Sequence, residues 1–475
     1  MAQTNFLRAQ NFDVSLPEKL NYGTNRYEVL GENTEGTVVL IAGKSIHTIA
    51  VYSSELKLKW KKPIALKEVG QVSIGKIYLT GDSAIVFYSV LLKGMTVLKA
   101  AKVNAQMNLL RAVVVLDTLS TTTLLAAPPL NYSCSAARKR FVVYYDDLNN
   151  GEKRKLYCLC IDTHLKKIWQ NEFRADGFVE PDVLSAAVLD SNHCWFIIGE
   201  NQVKNFHNDY PYNKVMLVSV NDSSGAVAKT IIEKSGMIFN APILKCDLVN
   251  RVMVVAGIYA SSPGNESDGI FLLHFNFNGE LLMKKFTPYS TELLSKLSGN
   301  TPPKRNDGFF SFRPSDFIIR RDGGIIFMAE SFSISTEAFN SPGYGSGGGA
   351  SSLTVNYYHY NEILALSLND TGLVEWNQVL PKKQQTESDG GLFSSFHIVV
   401  APTELILVFN DFSQNIDMLS YFTLKPDGNF SRTEIFNADK KGLLPLVREG
   451  EQISSGEIVM PSLKKGYLQF IKLTF

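Results

Sequence analysis

The sequence predicts an all-β fold, a single closed β-propeller of four-stranded blades spanning residues 1–475, and three observations predict it. One hairpin pattern recurs along the chain. A short apolar strand precedes most copies of it, and the two termini each carry an incomplete set of strands. Units of this kind cannot bury both faces alone, so they stack on neighbours until the core is continuous.

The hairpin comes first because its period sets the fold. The stretches 48–60, 156–169 and 363–376 each alternate in polarity, turn through short polar residues, alternate again and end on Trp60, Trp169 and Trp376. Residues 270–283 follow the same plan with Met283 in the tryptophan position, and 421–430 follow it with no large apolar residue there. Alternation of period two with Asn, Asp or Gly between the halves is the signal of a β-hairpin. A large apolar residue ending an outer hairpin is expected to dock on the adjacent blade. Trp60, Trp169, Met283 and Trp376 are therefore assigned a structural, blade-docking role.

The preceding strands are 38–41, 84–88, 141–145, 194–198, 252–257, 325–329, 405–409 and 457–460. Eight units follow, at spacings of about 45 to 80 residues, the size of a four-stranded blade with loops. Residues 71–120 show no tryptophan hairpin, which keeps seven blades as the alternative. After Pro445 the chain offers about three strands, while 11–17 is a spare strand at the other end. Pairing the two would close the ring and remove two sheet edges.

Two insertions stand out, at about 287–312 and 334–356. The first carries 290–298, able to form one or two helical turns. The second holds the glycine-rich run 341–352, which has no Gly-Lys-Ser/Thr and no following helical pattern, so it does not read as a phosphate loop. Tyr344, Tyr357, Tyr358 and Tyr360 lie in or beside it. Tyrosine offers large contact area at small entropic cost, which makes these four the candidate partner-binding residues.

The hairpin ending in Asn369, Asp370, Thr371, Gly372 and Trp376 resembles the repeat of pyrroloquinoline-quinone-type propellers. The resemblance implies the fold and the docking tryptophan. It does not extend to the quinone, because the adjacent-cysteine pair typical of those dehydrogenases is missing. Residues 358–376, with Lys382, Lys383, Gln384, Phe409, Asn410 and Asp411, resemble exported propeller proteins of Bacteroidetes over about the last third of the chain. That resemblance implies a periplasmic or outer-membrane-associated protein, one related group serving the type IX secretion translocon.

Composition narrows the function further. Apolar residues make up 45% and charged residues 20%, the balance of a chain that buries a core. Forty-seven Lys plus Arg against forty-six Asp plus Glu leave a charge of +1, so no global field draws it to nucleic acid. The longest apolar runs, 112–116 and 252–259, are strand-sized and cannot span a bilayer. The start lacks a basic and apolar leader, which fits either a cytoplasmic protein or a mature exported chain without its signal peptide.

The usual chemical motifs fail on spacing or face. Seven histidines are scattered, with none at metal-ligand spacing. Cys158 and Cys160 share one strand face about 6.6 Å apart, where a bridge would be strained, and read as buried thiols. His193 and Cys194 are sequence neighbours and point to opposite faces. Asp146, Asp147, Asp370, Asp411 and Asp427 read as turn residues. No catalytic, cofactor-binding or metal-ligating residue is assigned. The expectation is a non-catalytic scaffold that binds a protein partner in a membrane-associated complex. Two alternatives stay open: a glycosidase or lyase with carboxylates at the channel mouth, and a small-molecule or glycan binder.

Overall fold

The computed structural model describes residues 11–20, 24–43, 47–64, 66–120, 129–146, 155–176, 178, 181–189, 193–201, 211–220, 227–234, 236–261, 267–297, 312–341, 351–412 and 417–475. These residues form antiparallel strands in seven hydrogen-bonded sheets, and most sheets are meanders of four. The first is Thr24–Asn33, Gly36–Gly43, His47–Tyr52 and Leu58–Pro63. Its burial pattern explains the meander. The second and third strands are buried along most of their length, on both faces, whereas the fourth alternates and faces outward.

The same order of burial repeats downstream. Gln71–Thr80, Ser83–Leu92, Met95–Asn104 and Val114–Ser120 form the second sheet. The stretch without a tryptophan hairpin is thus a complete sheet. Asn131–Cys134, Arg140–Asp146, Lys155–Asp162 and Lys167–Arg174 form the third. An eight-stranded sheet follows, made of two runs of four: Pro181–Val188 to Val227–Glu233, then Ile238–Asp247 to Leu281–Pro288. Among the described residues, only the pairs Pro211↔Asn240 and Tyr212↔Phe239 join these runs.

Phe312–Ile319, Ile325–Ser341, Ser351–Leu368 and Val374–Leu380 form the next unit, and Phe396–Val400 to Phe430–Asn437 the one after it. In the last sheet Glu451–Ser454, Glu457–Lys464 and Tyr467–Thr474 supply three strands. The fourth is Asn11–Val14, which pairs antiparallel with Tyr467–Thr474 in the register Asn11↔Thr474 to Val14↔Ile471. Ser15 extends this junction. Its amide donates to the Phe470 carbonyl at 2.9 Å, and its Oγ accepts from the Phe470 amide at 2.8 Å.

Packing follows chain order. Eight apolar cores lie between successive four-strand units, and one of them joins Val29, Val39 and Ile41 of the first unit to Val459, Leu468 and Phe470 of the last. From the last unit through the first to the sixth, the first strands of neighbouring units touch one another and form an inner wall. Most of these inner strands carry a bulge, as between Ile74 and Lys76 or Pro314 and Asp316. Bulges sharpen twist and re-aim side chains at a crowded inner edge.

The turn between third and fourth strands is built alike in six units. In each, the amide of the fourth turn residue donates to the carbonyl of the first: Leu56 to Ser53, Met107 to Asn104, Leu165 to Asp162, Gly279 to Asn276, Gly372 to Asn369 and Gly428 to Lys425. That fourth residue is left-handed in every case. In the first three units it is a leucine or methionine, buried in the core toward the preceding unit. In the later three it is glycine, which takes the positive φ without strain.

The expected insertion at 334–356 is corrected: its described residues continue Ile325–Ser341 and Ser351–Leu368 as one long hairpin. In the insertion at 287–312, Thr291–Leu297 is a helix, capped where the Leu293 amide donates to Ser290 Oγ at 3.1 Å and anchored by buried Leu293. No helix among the described residues is long and apolar enough to cross a membrane.

Candidate functional site

Three places combine chemistry with position: the inner wall, a cavity at one end of it, and the base of the long hairpin. On the inner wall, Arg26 of the first unit donates to the carbonyls of Ile74 and Gly75 in the second, at 2.9 and 3.0 Å. The same guanidinium pairs with Glu28 at 2.6 Å, and Lys76 pairs with the other oxygen of that carboxylate. Burial pushes Glu28 up, but Lys76 and Arg26 outweigh it, so the carboxyl sits below its ordinary value. Nearby Glu451 is raised, mainly by burial. Two carboxylates of opposite tendency thus share the wall.

Further round, Lys245 pairs with Asp316 at 2.7 Å, and Asp316 acts on His397 in the next unit. Burial holds the His397 imidazole down to about 4 against that carboxylate. His274 is also held below its usual value by burial. Both are withdrawn from water by the residues packed around them.

The cavity has a volume of about 720 Å³ and is walled by the first strands of four consecutive units. It opens at the end where first-to-second and third-to-fourth strand turns gather, since antiparallel meanders place these two turns on one side. Leu244, Ile318 and Phe277 supply apolar wall, Cys134 and Cys246 line it from separate units, and Lys245 and Arg251 are its charged lining among the described residues. Burial, with Asp247, pushes the Cys246 thiol up to about 12, so it is a proton-bearing group at neutral pH. Cys158 and Cys194 lie in a core, their thiols also raised by burial.

At the opposite end the long hairpin leaves its sheet. Ten consecutive pairs, Phe332↔Tyr360 to Ser341↔Ser351, extend beyond Phe312–Ile319 and Val374–Leu380, with a register shift between Glu330 and Phe332 where the hairpin departs. Gln384–Glu387 pairs with Tyr357 to Tyr360 along one side. Among the described residues, no strand pairs with the other edge at 332–341. The hairpin stands on a buried polar network. Lys382, with a fully buried side chain, pairs with Glu330 at 2.6 Å and donates to Gln384 Oε1 and the Tyr360 carbonyl at 2.6 and 2.8 Å. Ser395 Oγ donates to the second Glu330 oxygen at 2.5 Å. Burial pushes Lys382 down, and Glu330 opposes it. A buried pair held by hydrogen bonds from Lys382 to Gln384 and Tyr360 and from Ser395 to Glu330 fixes geometry more than it adds stability.

The tyrosines chosen from sequence fall in different places. Tyr344 lies outside the described residues. Tyr357 and Tyr358 are half-buried on the hairpin. Tyr360 is buried at its base, edge-on to Phe332 at 4.8 Å, and beneath the Arg448 guanidinium, so it cannot serve as an exposed contact. The four blade-docking residues each sit in a core shared with the following unit. Trp376 donates from Nε1 to the Pro426 carbonyl at 2.9 Å and lies against Gly428, where a Cβ would come within 2.8 Å of its ring. The network around Lys382 had no signal in the sequence beyond the apolar flanks of Glu330. No group of three metal-ligating side chains occurs among the described residues.

No family model matches the sequence, and no curated protein matches it. Among solved structures, the WD40 domain of SCAP from fission yeast matches at a TM-score of 0.42 and 9% identity, over 97% of this chain and 98% of that one. Polysaccharide lyase Uly1 matches at 0.37 and 9%, over 97% and 99%. A protein of unknown function from Dyadobacter fermentans matches at 0.36 and 8%, over 72% and 94%. Likeness of this degree carries no argument about what the chain binds or does.

Proposed function

We propose that the chain is a closed eight-bladed propeller acting as a non-catalytic scaffold that holds a protein partner on its long hairpin. One observation carries this: ten further strand pairs run about 30 Å, at 3.3 Å per residue, past the first and fourth strands of their unit, and no described strand pairs with the edge at 332–341. Support for eight blades comes from the eight shared cores and from the two-pair link inside the eight-stranded sheet, which is weak compared with a full ladder. Support for closure comes from the pairing of Asn11–Val14 with the last strand. The setting we propose is periplasmic or outer-membrane-associated, with a secretion assembly such as the type IX translocon as partner; the resemblance of the last third of the sequence is its support.

The glycosidase or lyase reading has Glu28 and Glu451 on the inner wall in its favour. Glu28 is bound to both Arg26 and Lys76, which leaves it poorly placed to act on a substrate. The test of the scaffold reading is crosslinking and copurification of the full chain from its native cells, beside a variant in which 333–359 is replaced by a tight turn. A stoichiometric partner lost in the shortened variant is expected. Partner-free monomer, or a partner kept without the hairpin, overturns the proposal.

A further inference from the structure

The cavity at the turn end of the inner wall lies opposite the hairpin and plays no part in that reading. We propose that it binds a small amphipathic anion, a carboxylate or sulfonate carrying an apolar chain or ring. Its volume of about 720 Å³ falls in the range that encloses most of a small organic ligand. Its lining is mostly apolar, and among the described residues its charged lining, Lys245 and Arg251, is cationic. Lys245 already pairs with Asp316. Arg251 has no carboxylate partner among the described residues; its guanidinium lies over the Phe277 ring at 5.6 Å, at the cavity wall.

The lip supplies a second, independent observation. Leu248 and Val249 line the opening yet are 56% and 75% exposed. They are held out by a fixed turn: Asp247 Oδ1 accepts from the Val249 and Asn250 amides at 2.9 Å each, and Oδ2 accepts from Asn250 Nδ2 at 2.8 Å. Two adjacent aliphatic side chains held in water beside an apolar hollow gain free energy when a ligand covers them. An unpaired cation at the same opening selects a ligand with an anionic end. An apolar tail inward and a carboxylate or sulfonate at Arg251 satisfy both.

The test uses the full chain, with 1-anilinonaphthalene-8-sulfonate as fluorescent probe and dodecanoate and dodecanol as competitors. One saturable probe site is expected, displaced by dodecanoate at about tenfold lower concentration than by dodecanol. Arg251→Gln should abolish that preference. Val249→Asp should weaken probe and dodecanoate binding by about tenfold or more, because it places a carboxylate on the apolar lip. Thermal melting checks that both variants stay folded, and Val69→Asp, at a residue 86% exposed elsewhere, should bind like the parent. Absence of displacement by dodecanoate, equal affinity for dodecanol, or unchanged binding by Val249→Asp overturns the proposal.

Discussion

At the scale of single residues, burial decides protonation, and position on the inner wall decides burial. His397 lies on the first strand of its unit, where its imidazole is held down to about 4. The unfolded chain takes up that proton near pH 6.5, so between 6.5 and 4 it binds more protons than the folded one. The stability contributed is therefore present above pH 6.5 and lost as pH falls toward 4, by on the order of 3 kcal/mol. Urea unfolding of His397→Gln across this window should show the slope flattened relative to the parent; an unchanged slope would place the effect on other groups. Its place in the apolar run 396–400 made His397 legible only as a packed or surface histidine. Its neighbour Asp316, from another unit, was not legible, because sequence carries no register between units.

At the scale of elements, the docking of Trp376 on the next turn is the clearest device. Its ring occupies the space over Gly428, whose φ of +85° also disfavours any side chain. Trp376→Ala should cost about 2–4 kcal/mol, less than a fully buried tryptophan but including a lost hydrogen bond. Gly428→Ala should cost about 1–3 kcal/mol through backbone strain and contact with the ring. The two losses should fall short of additive, since both act on one contact; denaturant midpoints of the singles and the double would decide. The tryptophan, its spacing from the turn and the turn residues were readable from sequence. The leucine and methionine at the equivalent left-handed position of the first three units were not, because a positive φ there contradicts local preference and is imposed by burial in the neighbouring core.

At the scale of the whole molecule, the terminal pairing ties residues far apart in the chain. Phe12 lies 4.6 Å from Phe436 between ring centroids, and Ser15 binds the last strand through backbone and side chain. Deleting residues 1–18 removes a strand and leaves the edge of Tyr467–Thr474 unpaired. A clear fall in melting temperature is expected, with greater aggregation on heating; a melting temperature equal to the parent's would refute closure. Because every unit shares its cores with two neighbours, such a loss should spread beyond the last sheet.

The sequence by itself determined the all-β class, the repeated four-strand unit and the part played by its N-terminal strand, since these depend on local alternation, turn chemistry and strand count. The hairpin at 325–368 shows the limit. Its glycine-rich stretch and flanks read as a loop insertion, whereas the flanks 332–341 and 351–360 form ten further strand pairs. Tyr360 read as surface and is buried, because Phe332, Arg448 and the Lys382 network meet it from three separate parts of the chain. The Lys382–Glu330 pair and the cavity beneath Leu248 and Val249 arise only where several units converge. Long-range convergence of that kind has no local code, so the tertiary structure alone decided where this protein has chemistry to offer.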